Sequence, residues 1–322
     1  MLKQKIIINF QLHKQFFEDA KDIGEVKFGP FSSEDVFRKE LKEAKALIVA
    51  FVEVNEDLLR SAPNLKIVAR FGVGYDSVDV DACTKKGIYV THTPGILSDA
   101  VAELTIGLML SLSRNICIAD KYVREDWLRS NGHFPMCGDL KGKKLGIIGL
   151  GSIGCALASK IKNFGMRLVY NDVKRNLDAE NSLGIDYVKL DDLLKTSDFV
   201  SVHVPLKKST TGLIGEKEFR LMKNTSCFIN TSRGQVVDES ALCRALGEKW
   251  IAGAALDVFE IEPLPSNNTL IDMKNVILTP HIGTATLETR RAMALKVIDN
   301  VKAVLDGRRP SNAVPEQSGM TF

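Results

Sequence analysis

Between Lys143 and Asp172 the chain reads KKLGIIGLGSIGCALASKIKNFGMRLVYND, and this stretch restricts the fold more than any other. A short apolar run, Leu145 to Ile148, is of the kind that forms a strand buried on both faces. Gly149-Leu150-Gly151-Ser152-Ile153-Gly154 follows in the pattern G-x-G-x-x-G. Apolar residues at Ile153, Leu157, Ile161 and Phe164, spaced by three and four, predict a helix that Gly165 ends. A second strand, Leu168 to Tyr170, leads to Asp172.

Each part has a physical task. Gly149 permits a tight strand-to-helix turn, Gly151 lets a pyrophosphate approach the backbone, and Gly154 lets the helix pack close to the strand. Free N–H groups at the positive end of the helix suit the phosphates. An acid ~20 residues beyond the motif can accept hydrogen bonds from both ribose hydroxyls. Asp172 is placed for that and would repel a 2′-phosphate, so NAD is expected rather than NADP; Lys174 and Arg175, two nearby cations, weigh against the choice. A bare G-x-G-x-x-G is often an ordinary glycine turn. Here strand, glycines, helix, strand and acid arrive in order.

The 322 residues suggest about two domains. A net charge of +3, with Lys and Arg spread along the chain, implies neither a nucleic-acid nor an anionic-membrane partner. Cysteines at 83, 117, 137, 155, 227 and 243 form no C-x-x-C pair, so no metal site is expected and reduced thiols in a cytoplasmic protein fit best. The apolar run in MLKQKIIINF is too short for a signal peptide. Leu104 to Leu112 is too short to span a bilayer and reads as a buried helix.

Residues 1 to 92 alternate strand-like pieces (Ile6 to Phe10, Ala46 to Phe51, Ile67 to Phe71, Ile88 to Thr91) with helix-like ones (Leu12 to Ile23, Ser33 to Glu43, Asn55 to Ala62, Val80 to Lys86). Such alternation implies a parallel sheet covered by helices. Phe71-Gly72-Val73-Gly74 follows a strand; its glycines either expose N–H groups to an anion or make a tight turn, and spacing leaves both open. Thr93-Pro94-Gly95 breaks the chain. One long apolar helix is expected from Ser98 to about Ile118, and residues 119 to 140 read as an unpacked excursion. Beyond Asp172, Phe199 to Val204 ends in Pro205, Cys227 to Asn230 in Thr231-Ser232-Arg233-Gly234, Ala252 to Leu256 in Asp257, and Val276 to Leu278 in Thr279-Pro280-His281. In an open α/β sheet ligands bind beyond the carboxyl ends of strands, so Arg233, Asp257 and His281 are expected at one crevice. A final helix, about Thr286 to Leu305, carries the chain onward.

Arg233, Glu262 and His281 form the candidate constellation. Hydride transfer to a carbonyl needs a proton donor for the developing alkoxide, and histidine titrates in the right range. A paired carboxylate orients the imidazole and raises its affinity for a proton. A guanidinium can grip a substrate carboxylate through two parallel hydrogen bonds. The set fits reduction of a 2-oxo acid, or its reverse. Taken singly, such an Arg is more often a surface residue, a His near Pro is more often structural, and Glu262 before Pro263 can simply sit in a turn. His13, His92 and His133 lack a comparable context, and His203, before Pro205, reads as structural.

The motifs Gly149 to Gly154, His203-Val204-Pro205-Leu206, Asn230-Thr231-Ser232-Arg233-Gly234, Asp257-Val258-Phe259 with Glu262-Pro263, and Thr279-Pro280-His281-Ile282-Gly283 resemble the D-isomer-specific 2-hydroxyacid dehydrogenases. The resemblance extends to Phe71-Gly72-Val73-Gly74-Tyr75-Asp76 and Thr93-Pro94-Gly95, and covers nearly the whole chain. It implies two Rossmann-like, flavodoxin-like α/β domains with parallel sheets. A nucleotide domain, 99–286, would be inserted into a substrate domain made of 1–98 and 287–322. It also implies that Arg233 binds the substrate carboxylate, that His281 is the acid/base with Glu262 as partner, and that Val73 and Gly74 offer N–H groups to the carboxylate. Ser152 and Ile153 would meet the pyrophosphate and Asp172 the ribose. Val204, Pro205, Thr231 and Gly283 would line the cofactor cleft, and Asp257 would hold the nicotinamide amide. Many members carry Arg where this chain has Ser152, which removes one cation near the pyrophosphate. Dimers through the nucleotide domain are usual, with an arm corresponding to about 119–140 and Phe134 as a candidate contact.

Length and the run Thr93 to Asp99 are similar to glyoxylate and hydroxypyruvate reductases. The alternative is a short D-3-phosphoglycerate dehydrogenase, whose phosphorylated substrate would need further cations; Arg70 and Lys66 are the candidates. A minor alternative is a non-catalytic NAD(H)-sensing scaffold similar to corepressors of this fold.

Overall fold

The structure, a computed structural model, describes residues 4–10, 14–127 and 132–321. The chain divides into two compact units, residues 1–97 with 285–322, and 98–284.

The first unit is built on five strands: β1 (Lys5–Ile8), β2 (Glu25–Phe28), β3 (Ala44–Val49), β4 (Ile67–Arg70) and β5 (Tyr89–Thr91). They pair in parallel in the order β2-β1-β3-β4-β5. Both faces of the central strands are covered, so Ile6, Ile7 and Ile8 are all fully buried and the strand reads as an unbroken apolar run. Helices begin where a short polar side chain can take up a free N–H group. Ser33 accepts from Val36 at the start of Glu34–Leu41, Asn55 from Leu58 at Glu56–Arg60, and Thr286 from Thr289 at Leu287–Leu305.

The second unit carries β6 (Lys144–Ile148), β7 (Arg167–Asn171), β8 (Asp186–Tyr187), β9 (Phe199–Val202), β10 (Cys227–Asn230), β11 (Gly253–Leu256) and β12 (Val276–Leu278). All pair in parallel, in the order β12-β11-β10-β9-β6-β7-β8. Successive strand residues face opposite cores. Ile147, Ile229 and Ala255 join Leu108, Met109, Leu157 and Ile161 on one side. Ile148, Phe228 and Ala254 join Leu193, Phe219, Leu242 and Leu246 on the other. The chain runs outward from β6 to β8 and then jumps back to β9. The carboxyl ends of β6 and β9 therefore flank the point where strand order reverses, the usual crevice of this topology.

Three local expectations are corrected. The single helix over 98–118 is two, Ser98–Arg114 and Ile116–Glu125, bent by 57°. Asn115 sits between them at φ 51°, a left-handed conformation that asparagine tolerates. The apolar pattern continues across the break, which hides it in the sequence. The second helix also occupies the start of the expected excursion, of which residues 128–131 lie outside the described residues. The expected helix Leu12 to Ile23 begins outside the described residues as well; its described part, Lys14–Asp22, is a 3₁₀ segment kinked at Phe17. Edge strands β2 and β8 leave little mark in the sequence, because each is short and neither is an unbroken apolar run.

Among the described residues no single helix is long and apolar enough to cross a membrane. No group of three His, Cys, Asp or Glu among them could hold a metal ion. All six cysteines are free thiols.

Candidate active site

The second unit gathers the candidates at the carboxyl edge of its sheet. Gly149 leaves β6 at φ +93°, where a side chain would be strained and its Cβ would stand 2.9 Å from the His203 carbonyl. A Cβ on Gly154 would lie 2.3 Å from the Gly149 oxygen, so only glycine lets the helix start this close to the turn. Nothing stands within 4 Å of a Cβ at Gly151. The helix Ser152–Ile161 begins there without a side-chain cap, and the first backbone bond of its opening turn runs from Cys155 N to the Gly151 oxygen. The first-turn N–H groups of Ser152, Ile153 and Gly154 thus face an open, backbone-lined cradle of the kind that holds phosphates. Asp172 ends β7. Its Oδ2 accepts from Leu150 N at 2.7 Å and its Oδ1 from Val173 N at 2.7 Å, so the carboxylate braces the glycine turn at the place expected for a ribose. These residues fit a dinucleotide.

Further along the same edge, β9 delivers His203, Val204 and Pro205. His203 Nε2 meets Ser201 Oγ at 2.8 Å, and burial pushes the imidazole down to about 4. A histidine held neutral at that level supplies no proton near neutral pH, and it stands under the glycine turn as a packing residue. After β10, Asn230 organises the next turn. Its Oδ1 accepts from Ser232 N and Ser232 Oγ, and its Nδ2 donates to the Arg233 carbonyl at 2.8 Å. Thr231 is buried, with its hydroxyl 3.2 Å from that of Thr105. Arg233 follows in extended conformation, its Nη1 donating to the Ser232 carbonyl at 2.8 Å. A Cβ on Gly234 would lie 1.9 Å from the Phe259 backbone. This glycine therefore allows the loop carrying Arg233 to press against the loop carrying Glu262.

Glu262 and His281 meet directly. Glu262 Oε1 accepts from Phe259 N at 3.1 Å, and Oε2 lies 2.7 Å from His281 Nδ1. Burial would raise the Glu262 carboxyl, but His281, the Phe259 N–H and the Arg233 charge outweigh it and hold it below the usual glutamate range. A charged carboxylate can only accept, so His281 carries a proton on Nδ1. Its Nε2 is the nitrogen left to hold or release the exchangeable proton. The pair keeps 30% and 29% of its side-chain surface exposed, enough for a reacting molecule to reach it.

A role the sequence did not reveal belongs to Asp257. His281 lies at φ +54°, a left-handed conformation that costs a non-glycine residue about 1–3 kcal/mol. Asp257, only 1% exposed, holds the loop in that shape. Its Oδ1 accepts from Thr279 Oγ1 at 2.6 Å and Ile282 N at 2.8 Å, its Oδ2 accepts from Gly283 N at 2.8 Å, and its carbonyl accepts from His281 N at 2.9 Å. Burial raises the Asp257 carboxyl despite these donors and the nearby His281. The resemblance assigns Asp257 to the nicotinamide amide; in the structure its carboxylate also bonds to the loop that carries His281. An acid one strand away from a Thr-Pro-His-x-Gly turn was the available signal.

In the first unit, Val73 and Gly74 follow β4 as half-buried loop residues. The two cations considered for a phosphorylated substrate part company there. Arg70 ends β4 beside this loop, 8% exposed, with Nη1 donating to the Phe71 carbonyl at 2.7 Å. Lys66 precedes the amino end of the same strand, at the end away from this loop.

Comparison with known proteins agrees with this architecture. Residues 106–283 match the family model described as D-isomer specific 2-hydroxyacid dehydrogenase, NAD binding domain. A glyoxylate reductase of Thermococcus litoralis is 49% identical over 285 residues, covering 87% of this chain and 86% of that protein. One of Thermofilum pendens is 45% identical, covering 92% and 88%. Among solved structures, an NADPH-dependent glyoxylate/hydroxypyruvate reductase of Sinorhizobium meliloti, in complex with NADP and malonate, superposes with a TM-score of 0.89 at 32% identity, covering 98% of this chain and 97% of that one. The chain belongs to the D-isomer specific 2-hydroxyacid dehydrogenases.

Proposed function

We propose that this enzyme reduces a small 2-oxo acid of the glyoxylate or hydroxypyruvate type, with NADH as the preferred cofactor. The observation that carries the chemistry is the hydrogen-bonded His281–Glu262 pair beside Arg233. The glyoxylate reductases of comparable length support the substrate class. A nicotinamide, when bound, supplies the hydride to the carbonyl carbon. The chain's residues do the rest. Arg233 grips the substrate carboxylate and orients its carbonyl, and the N–H groups of Val73 and Gly74 take the anion-binding role that the family implies for them. His281 Nε2 passes its proton to the carbonyl oxygen as that oxygen gains charge, while Glu262 fixes the ring and stabilises it when charged. In the reverse direction Nε2 accepts the hydroxyl proton. Gly149, Gly151, Gly154 and the first-turn N–H groups of Ser152 and Ile153 hold the pyrophosphate. Asp172 takes the ribose, and Val204, Pro205, Thr231 and Gly283 line the cofactor's cleft.

Initial rates with NADH and NADPH across glyoxylate, hydroxypyruvate and 3-phosphohydroxypyruvate test the reading. Absence of turnover on all three would end it, and preference for the phosphorylated acid would transfer it to a phosphoglycerate dehydrogenase. Cofactor choice rests on Asp172, whose charge opposes a 2′-phosphate. Asp172→Ser should narrow the NADH-over-NADPH ratio in kcat/KM by at least tenfold, about the worth of one close charge contact. An unchanged ratio would remove Asp172 from the ribose.

The protein is also proposed to form a homodimer through the second unit. The helix Ile116–Glu125 buries none of its residues, and Ile116, Ile118, Val123 and nearby Trp127 are each about half exposed. Exposed apolar surface concentrated on one element marks an interaction site. Sedimentation should give twice the chain mass, and Ile118→Asp with Val123→Asp should halve it. A wild-type monomer would contradict the assignment.

A further inference from the structure

β4 ends at Arg70 and β5 at Thr91, adjacent parallel strands of the first unit, so the segments that leave them run side by side. Two contacts join these segments. Thr93 N donates to the Gly72 carbonyl at 2.9 Å, and His92 Nδ1 stands 3.0 Å from the Val73 carbonyl. A carbonyl only accepts, so the proton of that bond is on Nδ1. The peptides on either side of Val73 are trans. In a trans peptide the C=O and the following N–H point in opposite directions. Drawing the carbonyls of Gly72 and Val73 to the same side, toward residues 92 and 93, therefore turns the N–H groups of Val73 and Gly74 to the other side. Neither N–H has a backbone acceptor among the described residues. Two successive N–H groups turned to one side can offer a concavity to an anion.

The ring that fixes the second peptide is itself held. His92 N donates to the Asn312 carbonyl at 3.2 Å. The Tyr75 ring meets the imidazole edge-on, with centroids 5.3 Å apart and planes at 85°. Tyr75 in turn donates to the Glu316 carboxylate at 3.1–3.2 Å. Burial, with Glu316 beside it, pushes that phenol up to about 12, so it remains a donor. Glu316 belongs to a C-terminal segment pinned to β5 by Val314 N on the Val90 carbonyl and by Gln317, whose side chain takes up Val90 N and donates to the Ile88 carbonyl.

We propose that His92 is a positioning residue for substrate binding: its Nδ1–H holds the Val73 carbonyl so that Val73 and Gly74 present paired N–H groups to the substrate carboxylate. The inference rests on the role given to those two residues above. It assigns a task to a histidine that its sequence neighbours do not mark, because the acceptor lies in the loop after another strand.

Steady-state kinetics on glyoxylate, inhibition by oxamate as a carboxylate probe, and NADH titration by fluorescence test it together. His92→Leu should raise KM and the oxamate inhibition constant about tenfold, the scale of one misdirected hydrogen-bond pair. Its kcat and NADH affinity should stay within about twofold on the same reasoning. His92→Asn, whose side-chain N–H can stand near the place of Nδ1, should restore both constants to within about threefold. Unchanged KM and inhibition constant in His92→Leu would overturn the inference while wild-type turnover keeps the proposed function intact. Parallel loss of kcat, NADH affinity and melting temperature, unrelieved in His92→Asn, would make His92 structural and overturn it as well. If the leucine variant does not fold, a tenfold rise in the soluble asparagine variant has the same consequence. Failure of the wild-type enzyme to use glyoxylate or bind oxamate counts against the function itself.

Discussion

His281→Asn should lower kcat/KM by about 10²–10⁴, the range that a positioned general acid contributes. Asparagine is the informative choice. It accepts the left-handed backbone that the structure gives residue 281, so the Asp257-held loop keeps its shape. It can still hydrogen-bond to Glu262, but it has no nitrogen equivalent to Nε2 and so no proton to pass. NADH binding and melting temperature should therefore change little while turnover collapses. Glu262 sits below the usual glutamate range of about 4.3 because its donors outweigh its burial. The stabilisation from a carboxylate lowered in this way is present above its unfolded value and is lost as pH falls through the folded one. Glu262 thus stays charged throughout assays at pH 5–8, and the charge partner of residue 281 is constant across that window. A rate loss below tenfold in His281→Asn would remove His281 from the proton transfer.

Arg233→Ala should lower kcat/KM by about 30-fold to several thousandfold, the cost of truncating one partner of a desolvated charged pair at about 2–5 kcal/mol. The loss should fall on substrate recognition, with the dissociation constant of NADH nearly unchanged, because the guanidinium is assigned to the substrate carboxylate and not to the cofactor. Arg233→Lys should recover only part of the activity, since an ammonium supplies charge without the planar fork. Oxamate inhibition should weaken in step with KM. The Arg233 charge is the last and smallest of the influences that lower Glu262, so the His281–Glu262 pair should survive the substitution. An equal loss of NADH affinity would show that Arg233 serves the cofactor region and would separate it from the substrate.

Much of the architecture could be read because its causes are local. Ile6 to Ile8 and Leu145 to Ile148 declare buried strands by composition, and the six residues from Gly149 to Gly154 declare the turn between β6 and its helix. A parallel sheet then sends the ends of β10, β11 and β12 to one edge, which is why Arg233, Asp257 and His281 could be grouped before any coordinates. Where conformation depends on one residue's tolerance of an unusual backbone, the pattern misleads: the apolar spacing runs straight through Asn115 although the helix breaks there. Lys66 and Arg70, four positions apart, sit at opposite ends of one strand, as the expected strand Ile67 to Phe71 already implies.

The sequence by itself determined the class of sheet, the dinucleotide turn and the identities of the residues at the strand ends, because strand period, glycine geometry and helix spacing all act over a few neighbouring residues. The tertiary structure alone decided how those residues are held. Glu262 reaches His281, Asp257 clamps its loop and His92 grips Val73 through bonds between segments 19 to 26 residues apart in the chain. Such bonds form only after strands separated along the chain have been laid side by side, and no local pattern encodes which acceptor a given donor will then face.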